Sequence, residues 1–285
     1  MMSKPRKSNK TSKPSAVCTL ATSNSLKDLK LFIYSLRLFE KDIPIYILCD
    51  TDTEKGLIRF KKDENIHLYP QLDKYSNKNR EQMEELGIWT EFMLRKCDII
   101  DIALEECSDV LFVDADICFL NCLLSIYTKR FEIGGSPHFI RKSDTDKYGY
   151  YNGGYLWVRN PLITTKWKEY SETSRFFEQA AIEDLMKEFK SFEFPIQNNF
   201  GWWRLFQCDN PQDRMKQFTI CSESGFIFFD DKPLRSIHTH LTQDTDVNMP
   251  MFNNIISQLL NGGKSKNKNY ARLLIYLNLV KNGLV

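Results

Sequence analysis

Several features are missing from these 285 residues, and each absence closes off a class of protein. No apolar run approaches the ~20 residues that span a bilayer, so no membrane span is expected. The first residues also lack the apolar core of a signal peptide, which makes the cytoplasm the expected location. None of the eight cysteines, at positions 18, 49, 97, 107, 118, 122, 208 and 221, belongs to a Cys-x-x-Cys pair. That excludes the usual structural zinc spacings and favours buried free thiols in a reducing compartment. Gly262-Gly263-Lys264-Ser265 lacks the earlier glycine and the preceding strand of a P-loop. Acids are absent from residues 1–14, which carry Lys4, Arg6, Lys7, Lys10 and Lys13. Removing those five cations from the formal +2 leaves −3 on the rest, a balance that argues against a nucleic-acid partner.

What remains has an ordinary globular composition, with 42% hydrophobic and 27% charged residues. Residues 1–14 are expected to form a disordered basic tail, 15–260 a single domain, and 261–285 a linker and helix. Ala16 to Ala21 reads as a first strand and Ser25 with Asp28 as a capping box. The helix that follows carries Leu26, Leu29, Ile33 and Leu36 at helical spacing. Ile43 to Cys49 gives a second strand ending at Asp50, so the opening is a strand–helix–strand unit with parallel strands. Asn65 to Tyr69 is a third short strand and Gln71 to Arg80 a surface loop. Gly87 to Cys107 is a long helix with Lys96 in its middle.

That helix leads into Val110-Leu111-Phe112-Val113-Asp114-Ala115-Asp116, where four apolar residues run into two aspartates. A continuous apolar run suits a parallel strand covered on both faces. Carboxylates at its end stand at the carboxyl edge of the sheet, where open α/β folds bind ligands. At i and i+2 they point the same way, so one divalent cation can use both. Beyond Asp116 the elements shorten. Ile133 to His138 is expected as a bent or edge strand and Arg141 to Tyr148 as a charged loop. Tyr151 to Val158 is a strand whose Asn152-Gly153-Gly154 lets backbone approach a ligand. Pro161 to Lys190 reads as helical, and Arg235 to Leu241 as a strand with His238 and His240 on one face. Trp202 and Trp203 follow two asparagines and suit the apolar face of an acceptor sugar.

Taken together these pieces resemble the GT-A glycosyltransferases, in particular small members of the glycogenin and nucleotide-diphospho-sugar transferase types. The resemblance runs from about Val17 to Leu241. It is carried by Thr19-Leu20-Ala21-Thr22, Ile47-Leu48-Cys49-Asp50, Lys96, Asp114-Ala115-Asp116, Asn152-Gly153-Gly154, Glu178-Gln179 and the late histidines. It implies an α/β, Rossmann-like fold with a mostly parallel central sheet flanked by helices. Residues 15–130 would be the nucleotide-binding half and 131–260 the acceptor half. The activity implied is metal-dependent transfer of a hexosyl or pentosyl group from a UDP- or GDP-sugar to a glycan or glycoprotein acceptor. Asp114 and Asp116 match the metal site for Mn²⁺ or Mg²⁺, with one of His238 and His240 as third ligand. Ala21, Thr22, Asp50, Lys96 and Ala115 fall at nucleotide- and phosphate-binding positions, and Asn152 and Gly153 at the donor sugar. Two features depart from the pattern: the His–Gly–Lys-Pro-Trp ending is absent, and Glu178-Gln179 replaces Asp-Gln.

In such chemistry a divalent cation neutralises charge on the departing diphosphate, and a lysine adds to it. An inverting enzyme also needs a base, for which Glu178, Glu183 and Asp184 are the candidates; a retaining enzyme does not. Two rivals remain at this point. A haloacid-dehalogenase-type phosphatase also places Asp-x-Asp after an apolar strand, but near the chain start. A carbohydrate-binding protein without turnover would keep the fold alone.

Overall fold

The computed structural model describes residues 11–126, 129–242 and 248–285. Their strands are β1 (Ala16–Ala21), β2 (Ile45–Cys49), β3 (Ile66–Pro70), β4 (Val110–Val113), β5 (Ile117–Phe119), β6 (Ile133–Pro137) and β7 (Tyr151–Val158). They continue as β8 (Ser191–Glu193), β9 (Phe200–Gly201), β10 (Phe218–Ile220), β11 (Ile227–Phe229), β12 (Lys232–Pro233) and β13 (Ser236–His238). Seven form the central sheet in the order β3-β2-β1-β4-β7-β6-β8. Only β7 runs against the others, so the sheet is mainly parallel, as the βα repeat leads one to expect.

The double-sided burial follows from the two-residue period of a strand. Val17, Ile47 and Leu111 pack against Leu29, Phe32, Ile33 and Leu36 of the helix Leu26–Phe39. Their neighbours Cys18, Leu48 and Phe112 face the opposite way, toward Ile99, Ile100 and Ala103 of the helix Trp89–Glu106. Each fully buried aliphatic or aromatic side chain contributes about 1.5–3 kcal/mol. A third cluster joins Leu31, Cys118, Phe200 and Ile237 to Phe252, Ile256, Leu273 and Leu277. It fastens the helices Asn248–Gly263 and Lys268–Lys281 to the body, with Tyr34 stacked on Tyr276 at 3.8 Å between ring centroids.

Several local expectations are corrected. Ser25 precedes its helix but makes no side-chain cap bond. The reciprocal cap occurs instead at Asn79 and Gln82, opening the helix Arg80–Glu85 where the loop was expected to end. Arg141 to Tyr148 is not a loop: Lys142–Tyr148 is helical, supported by the i,i+4 pair Lys142–Asp146 at 2.8 Å. The helical stretch expected from Pro161 to Lys190 splits into Leu162–Ser171 and Ile182–Glu188. Residues 172–181 separate them, beginning Glu172-Thr173-Ser174, where Thr and Ser are weak helix formers. β6 is bent, with a register shift between Gly135 and Ser136, but it lies inside the sheet and not at its edge. Residues 1–10 of the expected tail lie outside the described residues. Ser12 already bonds to the Ile126 carbonyl at 2.9 Å and Lys13 pairs with Glu40 at 2.7 Å.

Candidate active site

β4 ends at Val113, and the next residue, Asp114, is tied by its N–H to the Gly154 carbonyl of β7 at 3.0 Å. The chain then turns, Ile117 N donating to Asp114 O, and enters β5. β13 pairs antiparallel with β5 so that His238 stands opposite Ile117. That register carries His238 to the aspartates from more than a hundred residues away. Its Nε2 lies 3.1 Å from Asp116 Oδ1 and 3.8 Å from Asp114 Oδ2. Ligand atoms of Asp114, Asp116 and His238 all fall within 4.8 Å of one another, a group that could hold a metal ion.

Two local features favour that use. His238 Nδ1 meets the Asn199 side-chain oxygen at 3.1 Å, and since that oxygen only accepts, the ring proton sits on Nδ1 and leaves Nε2 facing the carboxylates. A Cβ on Gly154 would lie 2.2 Å from Asp114 Oδ2 and 2.7 Å from His238 Cε1, so only glycine leaves room for both side chains. Burial opposes the charge of Asp116, but His238 and then His240 hold its carboxyl well below the usual range.

His240 is not a second copy of His238. Strand pairing stops at His238 and Thr239 N turns to the Asp116 carbonyl, yet both rings face the Asp116 carboxylate, one at each oxygen. His240 Nδ1 contacts Asp28 at 2.7 Å, and its Nε2 is 3.7 Å from Asp116 Oδ2. Burial works against its charge, yet Asp28 and Asp116 push the imidazole up to about 9. Asp28, expected as a cap residue, is therefore a buried anchor that also accepts from Thr242 Oγ1 at 2.7 Å.

Lys96 is fully buried beneath this group. Its Nζ reaches Glu178 Oε1 and the Gly153 carbonyl, each at 3.0 Å, and Asp114 Oδ1 at 3.4 Å. Burial alone would lower its pKa, but Asp114 and Glu178 raise it, so the ammonium is held charged. Gly153 N–H donates to Gln179 Oε1 at 3.1 Å. Gln179 directly, and Glu178 through Lys96, thus brace the Asn152-Gly153-Gly154 segment of β7. Glu183 instead accepts from Tyr150 N and pairs with Arg175, while Asp184 is exposed and pairs with Lys187.

Of the other residues singled out from the sequence, Thr22, Asp114 and His240 line a cleft of about 810 Å³. Ala21 and Ala115 pack into the core beside it. Asp50 is buried, and its carboxylate is occupied by Thr53 N, Ser23 N and Ser76 Oγ at 2.7–3.1 Å. Burial raises its pKa, but those donors outweigh it and leave the group below its ordinary value. Asn152 accepts from Gly154 N and touches His138. Trp203 stands edge-on to His238 at 4.9 Å, and Trp202 packs in the third cluster. Sequence reasoning missed Asn77, Arg80, Trp89 and Met93 on the cleft wall. It also missed the fully buried Arg204 below the site, for which a cation inside Trp202-Trp203-Arg204-Leu205-Phe206 was the available signal.

No protein-family model matches the sequence, and no curated protein matches it either. Among solved structures, the chain has the GT-A glycosyltransferase fold. It is similar to the galactosyltransferase LgtC in complex with donor and acceptor sugar analogs, at 13% identity and a TM-score of 0.52. That match covers 88% of this chain and 96% of LgtC. An active-site mutant of LgtC gives 13% identity and 0.53, over 85% and 95% of the two chains. The glycosyltransferase GlyE of Streptococcus pneumoniae TIGR4 is also similar, at 15% identity and a TM-score of 0.43. This chain, 65% of it aligned, spans only 47% of the GlyE chain.

Proposed function

We propose that this chain is a metal-dependent glycosyltransferase that moves a sugar from a nucleotide-diphosphate donor, a UDP- or GDP-sugar, to a hydroxyl of a glycan or glycoprotein acceptor. The observation that carries the reading is the Asp114–Asp116–His238 group at the carboxyl edge of a GT-A sheet, beside an open cleft. The donor set suits Mn²⁺ or Mg²⁺: two carboxylates and one neutral imidazole, with room secured by Gly154. When bound, such an ion neutralises charge on the leaving diphosphate.

The chain's own residues do the rest. Lys96 offsets the charge of Asp114 and Glu178 and ties the Gly153 carbonyl of β7 to the same ammonium, holding the donor-facing segment beside the aspartates. Thr22 and the wall formed by Asn77, Arg80 and Trp89 bound the space for a nucleoside. Glu178 has Oε1 held by Lys96 at 3.0 Å, which suits electrostatic support of the site better than abstraction of an acceptor proton. Asp184, exposed and paired with Lys187, is the weaker base candidate, and Glu183 is held by Arg175.

The reading is tested by thermal denaturation with a panel of nucleotide sugars, with and without Mn²⁺. A donor that binds at 100 times its Kd adds about 2.7 kcal/mol. One or more donors should raise the melting temperature only when Mn²⁺ is present. Stabilisation that ignores the metal, or none from any nucleotide sugar, would count against it.

A further inference from the structure

We propose that Asn199 is a positioning residue: it closes a one-directional chain of hydrogen bonds, His138–Asn152–Asn199–His238, that keeps a proton on His238 Nδ1 and turns Nε2 toward Asp114 and Asp116. The inference rests on the metal reading above for its purpose, but not for its geometry.

The direction of the chain is set at its far end. His138 Nδ1 lies 3.2 Å from the Gly149 carbonyl, which can only accept, so that nitrogen carries the proton. His138 is buried, and burial together with the neighbouring Arg204 pushes its pKa down to about 3, so the ring stays neutral and its Nε2 can only accept. The partner at 3.2 Å must then be the Asn152 amide nitrogen. The Asn152 oxygen faces the other way, where Gly154 N–H donates at 3.1 Å and Asn199 Nδ2 at 3.0 Å. Rotating the Asn152 amide would set its NH₂ against both donors. Asn199 in turn points its oxygen at His238 Nδ1. Each link leaves the next with one choice, and the last places a proton on His238 Nδ1.

Arg204 holds this chain in place. Its guanidinium is fully buried with no carboxylate partner among the described residues, and every arm bonds a member of the assembly. Nε donates to Asn199 O at 2.7 Å, one terminal nitrogen to His138 O at 3.0 Å, and the other to Ser136 Oγ at 3.1 Å. Ser136 Oγ also accepts from Asn199 Nδ2 at 3.2 Å. Trp203 lies edge-on to both imidazoles, at 5.7 Å from His138 and 4.9 Å from His238.

The test reads the imidazole nitrogens of the full-length, metal-free protein by two-bond ¹H–¹⁵N spectroscopy, and Mn²⁺ binding separately by calorimetry. Wild type should show both His138 and His238 protonated at Nδ1. Asn199→Leu should lower the Nδ1–H population of His238 and weaken Mn²⁺ binding by about 10–100-fold, as loss of a group orienting a metal-ligating histidine does. Asn199→Asp, which keeps an acceptor toward His238, should restore the Nδ1–H signal. Asn152→Ser, two links away from the ring, should move the same His238 signal without touching it. A wild-type His238 with no proton on Nδ1 overturns the proposal, and this measurement needs no variant to fold. An unchanged His238 tautomer in folded Asn199→Leu overturns it equally. If the tautomer depends on Asn199 but no Mn²⁺ binds to wild type, the relay stands and the metal reading fails.

Discussion

The most exposing perturbation is a single methyl group at Gly154. An ideal Cβ there lies 2.2 Å from Asp114 Oδ2, 2.7 Å from Asp114 Cγ and 2.7 Å from His238 Cε1. Carbon–oxygen contacts close at roughly 3.3 Å, so Asp114 must retreat by about 1 Å. Metal–ligand distances tolerate about ±0.2 Å, several times less than that retreat. The Asp114 carboxylate would have to rotate out of the group or press on Lys96, already 3.4 Å away. We therefore expect Gly154→Ala to lose at least 10-fold in Mn²⁺ affinity, with an overpacking cost of about 1–3 kcal/mol in stability. Isothermal titration with Mn²⁺, alongside a urea midpoint, reads both. A folded Gly154→Ala protein that binds Mn²⁺ within about threefold of wild type would refute the steric argument.

Other outcomes follow from the same geometry. Asp114→Asn should remain folded and lose metal-dependent turnover, which comparison with wild type in chelator checks. Lys96→Met leaves Glu178 buried without its cation and should destabilise by about 3–5 kcal/mol in denaturant titration, most of it recovered in Lys96→Met/Glu178→Gln. His138 has its folded pKa lowered to about 3 from an ordinary 6.5, so its contribution is complete above pH 6.5 and is lost as pH falls toward 3. Between pH 6.5 and 5 that amounts to about 2 kcal/mol, seen as a steeper acid loss of urea midpoint in wild type than in His138→Gln; equal slopes would contradict it. Beginning the chain at Ser15 removes the Lys13–Glu40 pair and the Ser12–Ile126 backbone bonds and should lower stability by about 1–3 kcal/mol, with catalysis retained.

What could be read from the sequence was what local pattern encodes. The bounds of β1 are those of an apolar run broken only by Thr19, and Asp114 with Asp116 declare themselves by spacing. Which histidine joins them depends on the register of β13 against β5, a pairing across more than a hundred residues that no local period reports. Asp28 shows the limit most clearly. Three residues after Ser25 it looks like a cap partner, yet it bonds His240, 212 residues away. Asn199, His138 and Arg204 carry no motif of their own, because their roles exist only once β6 and β7 of the central sheet meet the segment around β9, which belongs to another sheet.

The central claim is chemical, and one measurement meets it directly: release of nucleoside diphosphate from a panel of UDP- and GDP-sugars by the full-length protein in Mn²⁺, with pooled glycan acceptors. At least one donor should yield free nucleoside diphosphate, the yield should vanish in chelator, and Asp114→Asn should show none. Release that persists in chelator or in Asp114→Asn, or no release from any donor with wild type folded and metal-bound, would contradict the account.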